Sequence, residues 1–349
     1  GFENDTAGVD ERPLALQIAD RYGTDHHELF VGAEDAGPLP QLIWNAGEPF
    51  ADVSVLPSHQ ISRLARSEIT VALTGDGGDE SFGGYANVYA AYFASKFKRW
   101  VPETIRNGMK RVIDGPDAAK TVPAPVRRLG TLLRYAEKTP LELYDLPEWW
   151  GTELRPALYA PNRRSTNGNA APLDIVEQTL ASARNMDDVS QIMYTDLHLR
   201  LPGDYLSKMD IASNAVALEI RSPFLDHDLV EFAATLPIDS RMRRWKQKGM
   251  LRTLASRYLP QESINRKKTG FGPPLANWLR GKWSPLIQQF VTDGIATRTQ
   301  WFEQATIQRT VDEHMQGKAN HASRLWSLVC LEIWWRMFID RTMKPTDEI

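Results

Sequence analysis

The hydrophobic pattern of roughly the first 75 residues alternates between helical and strand periods. Residues 9–22 carry apolar side chains at helical spacing and end at Gly23, which predicts a helix with a glycine stop. Residues 39–52 and 54–68 predict a helix, a proline-broken loop and another helix. Short strands are predicted late in residues 23–32 and at residues 69–74. Alternating helices and strands predict an α/β fold with a parallel sheet.

Beyond Tyr85 the pattern is helical. Apolar residues recur at helical spacing at Val189, Ile192, Met193 and Leu197, and again at Leu325, Leu328, Val329 and Trp334. Residues 115–126 and 160–172 are rich in proline, glycine and polar residues, which predicts exposed loops. We therefore expect one domain over residues 1–349, with an α/β nucleotide-binding part at 1–95 and a mainly helical part at 96–349.

The amino-acid composition narrows the binding partners and the cellular location that we expect for the protein. Across 349 residues, 41 Lys and Arg face 44 Asp and Glu, a net charge of −3 that favours neither a nucleic acid nor an anionic membrane as partner. The single Cys330 excludes a disulfide within the chain and fits a reducing, cytoplasmic location. Charges interrupt the apolar residues 323–340, so we predict a buried terminal helix there and no membrane span.

Residues 73–85, LTGDGGDESFGGY, follow the strand predicted at 69–74. Asp76, Asp79 and Glu80 lie within five residues, and such acids are costly to hold together unless a cation or an ammonium group joins them. Glycines allow close approach of a ligand at the carboxyl end of a parallel strand. Mg²⁺ explains both features because it binds carboxylate and phosphate oxygens together. The alternative is a solvated acidic turn.

Other motifs accompany this loop: LSKMDIASNAVALEIRSPFLD at 206–226, NRKKTGFGPPLANWLRG at 265–281, GTDHHE at 23–28, EPFADVS at 48–54 and an aromatic C-terminal helix. In this order they resemble the synthetase domain of glutamine-hydrolysing asparagine synthetases, which are pyrophosphatase-loop (PP-loop) ATP enzymes. The resemblance implies a Rossmann-like parallel sheet followed by a large helical portion. It also implies ATP and Mg²⁺, adenylation of the aspartate side-chain carboxylate with release of pyrophosphate, and attack by ammonia derived from glutamine.

The resemblance assigns roles to the loop after the strand. Thr74, Gly75 and Gly77 would contact ATP, and Asp76 would serve as an anchor or general base during amide formation. Asp79 would bind Mg²⁺ with Glu80 beside it. Each of these acids has the alternative role of capping the following helix.

Two further motifs supply basic residues. Lys268 matches the lysine that meets the α-phosphate and the departing pyrophosphate, where an ammonium group stabilises moving charge. Lys208, Asp210 and Arg221 fall on the motif at 206–226, which we interpret as a helix with one charged wall and an Arg221–Asp226 pair. These charged residues either bind the nucleotide or form a structural salt-bridge network that lines the site.

The sequence departs from the family pattern in two places. It contains no SGG sequence, and hence no SGGxDS pyrophosphate loop, and its only cysteine is far from the N-terminal position of the family's glutaminase nucleophile. We therefore expect the first strand, its loop and the glutaminase domain that supplies ammonia to lie upstream in a longer protein. This predicts that the fragment is inactive alone and that its free sheet edge either pairs with another chain, as in a homodimer, or disturbs the fold.

Alternative functions remain open. The acidic loop alone fits a Mg²⁺-dependent phosphohydrolase. The basic residues 241–248 around a tryptophan fit a non-catalytic nucleic-acid module, against which the overall acidity weighs. Within the family, the acceptor is free aspartate or another carboxylate on a peptide or a cell-surface precursor.

Overall fold

The computed structural model describes residues 11–32, 36–105, 137–145, 149–163, 173–243, 246–265 and 272–349. Within these ranges the protein is a helix-rich α/β fold around a small parallel sheet of two strands, β1 (Val71–Leu73) and β2 (Glu219–Arg221). Ala72 pairs with Ile220 at the centre of the register. The strand predicted at 69–74 is confirmed, and we find no strand in the described part of residues 23–32, where Val31 forms only an isolated bridge.

The strand β2 corrects the prediction of one continuous charged helix at 206–226. The helix Ser207–Asn214 ends in a turn in which Leu218 N–H donates to Ser213 O at 3.0 Å and Ala217 has a φ of +56°. The turn redirects the chain, and Glu219 and Arg221 then point the same way on an extended segment with Ile220 between them. Only Lys208 and Asp210 are therefore on the helix.

Helices in the first part of the chain are Arg12–Tyr22, Leu39–Ala46, Val55–Glu68, Gly78–Phe82 and Ala86–Trp100. Those in the remainder are Arg155–Leu158, Asp174–Ser182, Asp188–Thr195, Ser207–Asn214, His227–Thr235, Ile238–Arg241, Gly249–Ala255, Gln261–Asn265, Leu275–Arg280, Ser284–Leu286, Ala296–Arg298, Gln304–Met315 and Ala322–Phe338. Segments of π-helix cover Asp196–Leu206 and Ile287–Ile295. In the part of the chain that the structure describes, short 3₁₀ turns cover Leu141–Leu143, Pro161–Arg163 and Pro223–Leu225.

Local chemistry sets several of these boundaries. The first helix stops at Gly23, whose φ of +60° is left-handed, as the sequence predicted. Asp187 begins the helix Asp188–Thr195 by accepting hydrogen bonds from two backbone N–H groups at 3.1 Å. Asp226 begins His227–Thr235 in the same way, so its carboxylate is used as a cap and does not pair with Arg221. The predicted Arg221–Asp226 pair is wrong.

The C-terminal helix Ala322–Phe338 lies in the larger hydrophobic core. It packs against the π-helical segment Ile287–Ile295, and the Trp326 ring stacks on Trp283 with centroids 5.2 Å apart. Cys330 is fully buried, which confirms the predicted buried helix. None of the helices in the described ranges has the length and apolar character needed to cross a membrane.

A smaller core supports the acidic loop. Val88 and Tyr92 on the helix Ala86–Trp100 pack against Ile192 on Asp188–Thr195. This contact fixes the chain that follows the short helix Gly78–Phe82, and it also places the π-helical segment after Thr195 beside that helix.

On its other edge β1 has no strand partner among the described residues. Its apolar side chains remain accessible, and Leu73 is 72 % exposed. The free edge agrees with the expectation from sequence, while its pairing with another chain stays a prediction.

Glu332 is the most buried charge of the C-terminal core. Its carboxylate is 0 % exposed and accepts from Arg298 Nε at 2.7 Å and from Arg336 Nε at 2.6 Å. Arg298 also donates to Asp340. Two partly exposed arginines thus compensate one buried carboxylate, and removal of that carboxylate costs both of them a charge-assisted hydrogen bond.

We expect Glu332→Ala to lower the free energy of unfolding by about 1–3 kcal/mol, because the charge-assisted hydrogen bonds from both arginines to the buried carboxylate are lost. Urea denaturation followed by circular dichroism measures this change. The control is Glu231→Ala at an exposed helical position, with an expected change within about 0.5 kcal/mol. A Glu332→Ala loss no larger than that of the control would contradict the assignment.

Candidate functional site

The acidic loop turns sharply at the carboxyl end of β1. Thr74 N–H still donates to Arg221 O at 2.9 Å, so the chain leaves the sheet one residue after Leu73. Gly77 has a φ of +87°, and a Cβ at this position would overlap the Leu225 side chain. Only glycine fits both constraints. The loop is therefore held against the chain that follows β2.

Asp76 is held by its neighbour Thr74. The Thr74 hydroxyl donates to Asp76 Oδ2 at 2.8 Å and lies 2.8 Å from the hydroxyl of Ser222. This contact restrains the Asp76 side chain, which is half-buried and lines the cleft described below. The remaining carboxylate oxygen is the acceptor that a general base or an anchor needs.

Asp79 forms an ion pair with Lys248, with Nζ 3.0 Å from Oδ2. Lys248 adopts a φ of +52° just before the helix Gly249–Ala255, a conformation uncommon outside glycine. Gly84 completes the contact, because a Cβ there would overlap Asp79 Oδ1. Lys248, 169 positions after Asp79, thus supplies the ammonium group that the three acids require. The sequence analysis had counted it among the basic residues 241–248.

The alternative of a nucleic-acid module at residues 241–248 gains no support from the residues that the structure describes there. Arg241 is buried, with 7 % exposure, and burial lowers the pKa of its guanidinium. Lys248 is engaged by Asp79. Trp245, the proposed stacking residue, lies outside the described residues.

Glu80 is buried behind the loop and accepts a hydrogen bond from the Tyr85 hydroxyl. Burial, followed by the charge of Glu80, raises the pKa of Tyr85 far above its ordinary value, so the phenol stays a donor. The N-cap of the helix Gly78–Phe82 is Gly77, with no side-chain cap. The capping alternative for the acids therefore does not hold at this helix.

A cleft of about 1020 Å³ opens beside the loop. The polar residues that line it are Asp52, Ser54, Asp76, Asp79, Glu80, Tyr85, Tyr144, Asp145, Arg155, Asp204, Tyr205, Lys208, Ser323 and Ser327. Its aromatic and apolar lining comprises Phe50, Ala51, Val53, Trp149, Trp150, Leu173, Leu275 and Trp326, with glycines 75, 77, 151, 203 and 272 between them. Elements distant in sequence meet here, which makes this cleft the candidate site.

The cleft gathers most, but not all, of the residues predicted from sequence. Asp210 is exposed and accepts from Asn214 Nδ2 at 2.6 Å, while exposed Arg221 donates to Glu219 Oε1 at 2.7 Å. Neither lines the cleft. Lys268 lies outside the described residues, although Gly272, four positions later, does line the cleft.

A buried polar network that the sequence analysis missed stands behind the acidic loop. The π-helical segment Asp196–Leu206 carries Asp196, which accepts from the Tyr144 hydroxyl at 3.0 Å and lies 3.5 Å from Arg200 Nη1. The Arg200 guanidinium also lies over the Tyr85 ring at 5.4 Å. π-Helices are frequent at functional sites because they shift side chains along the helix face. The Pro-Gly pair at 202–203 inside a helical pattern was the available signal.

Two carboxyl groups meet on another part of the lining. Asp52 Oδ2 lies 3.4 Å from Lys208 Nζ, and the Asp204 carboxyl lies close enough to Asp52 for the two charges to interact. Burial, and then the nearby charge of Asp52, raise the pKa of Asp204 to about 6. Lys208 thus reaches the cleft as predicted, but it does so in contact with acids.

No group of three or more His, Cys, Asp or Glu side chains in the described ranges is arranged to hold a metal ion by itself. Asp79 and Glu80 are nevertheless adjacent in the cleft lining. Two carboxylates satisfy the protein share of a site in which substrate phosphates and water complete the coordination of Mg²⁺.

Asp196 predicts a specific dependence of stability on pH. Burial raises its pKa from 3.8 to about 6 in the folded chain, so between these values the folded state binds more protons than the unfolded state. We expect the unfolding free energy of the wild type minus that of Asp196→Asn to fall as pH rises from about 4 to about 6.5. Chemical denaturation at several pH values measures this difference. A flat or rising difference would contradict the buried, protonated carboxyl.

Comparison with known proteins agrees with the geometry. A family model described as asparagine synthase matches residues 1–336. Similar proteins include one from Mycobacterium tuberculosis, provisionally named as a glutamine-hydrolysing asparagine synthetase, at 29 % identity over 99 % of this chain and 51 % of that protein. Asparagine synthetase (glutamine-hydrolyzing) 1 of Bacillus subtilis is 26 % identical over 99 % of this chain and 53 % of its own length.

A third relative has a different name. The amidase chyE of Penicillium rubens is 25 % identical over 83 % of this chain and 45 % of its own length. The chain spans about half the length of the curated relatives it matches first. Since the family model covers nearly every residue, the chain belongs to the asparagine synthase family.

Proposed function

We propose that this chain is the carboxylate-activating part of an ATP-dependent, glutamine-hydrolysing amide ligase. In the proposed reaction, a side-chain carboxylate oxygen of aspartate attacks the α-phosphorus of ATP and pyrophosphate leaves. Ammonia then attacks the acyl carbon and AMP leaves, which gives asparagine. One observation carries the proposal: a single cleft brings the acidic loop after β1 together with Lys208, Trp326 and the chain bordering Lys268.

The nucleotide is proposed to lie at the carboxyl end of β1. Thr74, Gly75 and Gly77 would contact ATP there, because ligands of open parallel sheets sit at strand ends. Lys268 would neutralise charge on the α-phosphate and the departing pyrophosphate. A PP-loop sheet of Rossmann type, with residues 1–95 as nucleotide-binding part and 96–349 as helical part, completes this proposal.

The acids of the loop are proposed to bind Mg²⁺ and to handle the attacking amine. Asp79 and Glu80 would hold Mg²⁺, which supplies charge neutralisation on the phosphates. Lys248 holds the Asp79 carboxylate in place and brings a second ammonium group to the same part of the cleft lining. Asp76, restrained by Thr74, would anchor or deprotonate the attacking amine.

The residues outside the cleft take a structural part in this proposal. Arg221 pairs with Glu219 on β2, and Asp210 binds Asn214 within one helix. Their positions favour the salt-bridge alternative over direct nucleotide binding. Lys208, by contrast, is 8 % exposed and lines the cleft.

The ligase is tested with the whole gene product, incubated with ATP, Mg²⁺, aspartate and glutamine or ammonium chloride. We expect AMP and pyrophosphate in equal amounts with asparagine, and a loss of about 100-fold or more in Asp76→Asn. Because the 349 residues contain no SGG loop, we expect the chain alone to release little AMP. ADP and orthophosphate formed without a carboxylate would identify a phosphohydrolase instead, and a carboxylate other than aspartate would reveal a different acceptor.

Gly84 tests the position of Asp79. We expect Gly84→Ala to lower kcat by about 10- to 100-fold, because the new Cβ displaces a carboxylate that must be placed within about 1 Å. Steady-state assay of the whole gene product measures the change. The matched control is Gly37→Ala, where a Cβ meets nothing within 4 Å and activity should be unchanged. Equal activity of the two variants would refute the role of Asp79.

A further inference from the structure

We propose that Asp52, Asp204 and Lys208 form a subsite for an ammonium group of a reactant in the same cleft. The inference rests on the proposed function and deepens it by naming the chemistry that this part of the cleft recognises. Asp52 lies in the stretch before the helix Val55–Glu68, Asp204 near the end of the π-helix and Lys208 at the start of the helix Ser207–Asn214. All three line the cleft.

Asp52 is oriented before any ligand arrives. Its Oδ1 accepts from Ser54 N–H at 2.9 Å and from the Ser54 hydroxyl at 2.7 Å. Its Oδ2 remains for Lys208, whose ammonium lies 3.4 Å away and 5.1 Å from the centroid of the Tyr205 ring. A carboxylate fixed in this way presents one oxygen to the cleft at little entropic cost.

The charges in this subsite do not balance. Two carboxyl groups face one ammonium, and Arg200, the other described cation that acts on Asp204, is engaged by Asp196. Burial, and then the nearby charge of Asp52, raise the pKa of Asp204, so this carboxyl holds a proton more readily than an isolated one. A primary ammonium group brings both the missing charge and three N–H donors, so it replaces that proton.

Unpaired donors on the same lining point to a ligand independently. The indole N–H groups of Trp150 and Trp326 are buried without a hydrogen-bond acceptor among the described residues, and Trp326 is 1 % exposed. Both side chains line the cleft. Buried donors are costly to leave unpaired, so a carbonyl or carboxylate oxygen of a bound molecule is their expected partner. The lining therefore suits a reactant that carries an ammonium group together with carboxyl oxygens.

Two reactants of the proposed reaction carry an ammonium group. One is an amino-acid acceptor with a free amino group, and the other is the ammonium ion that supplies nitrogen. They are separable because exchange of labelled pyrophosphate into ATP reports formation of the acyl-adenylate and needs no nitrogen donor.

The experiment uses the whole gene product and the variants Asp52→Asn, Asp204→Asn and Asp204→Glu. In the exchange assay, aspartate is compared with succinate, which has both carboxylates but no amino group. We expect wild-type protein to prefer aspartate over succinate at least about 10-fold. Asp204→Asn should lose most of that preference through a raised KM for aspartate, while its KM for ATP stays within about twofold of the wild-type value. Asp204→Glu should regain part of the preference. This outcome assigns the subsite to the acceptor.

The second arm measures amide formation against ammonium chloride. One possible result is that Asp52→Asn and Asp204→Asn leave pyrophosphate exchange unchanged but raise KM for ammonium about 10-fold. This result supports the subsite and assigns it to the nitrogen donor. The control Asp312→Asn, at an exposed position outside the cleft lining, should alter neither arm.

Two outcomes overturn the inference in distinguishable ways. Variants that fold like wild type by circular dichroism and change neither the preference for aspartate nor KM for ammonium refute the subsite and leave the ligase intact. Absence of exchange in wild-type protein with every carboxylate refutes the ligase itself, and the subsite falls with it.

Discussion

The parallel pairing of β1 with β2 is the contact on which the candidate site depends. It places Thr74 beside Ser222, 148 residues later, and continues into the loop where Gly77 lies against Leu225. Without this pairing the acidic loop would have no fixed position relative to the helix that carries Lys208. Six paired residues thus align two distant motifs at one strand end, where parallel sheets place their ligands.

Several charged groups in or behind the cleft have a nearby partner. Lys248 neutralises Asp79, Tyr85 donates to Glu80, and Asp196 meets Arg200 and Tyr144. These partners offset part of the cost of holding acids close together in a partly buried place, while burial still raises the pKa of Asp196. The exception is the Asp52–Asp204 pair, and its unbalanced charge is what distinguishes that part of the lining.

Sequence alone predicted the local features well. The strand around Ala72, the stop at Gly23 and the buried helix around Cys330 follow from periodicity and from glycine chemistry, which act within a few residues. The β2 strand was missed because three extended residues after a helix leave a weak pattern. The Lys248–Asp79 pair and the Asp196 network depend on contacts between distant segments, which no local pattern records. Roles for Lys268 stay predictions, since that residue lies outside the described ranges.

The buried thiol of Cys330 provides a chemical probe of the opening of the larger hydrophobic core. It is the only cysteine in 349 residues and is fully buried, and desolvation raises its pKa far above the ordinary value, so the reactive thiolate is scarce in the native chain. An alkylating reagent consequently modifies it only after the C-terminal helix has opened. Labelling kinetics therefore follow exposure of the larger core at a single atom, with no engineered probe.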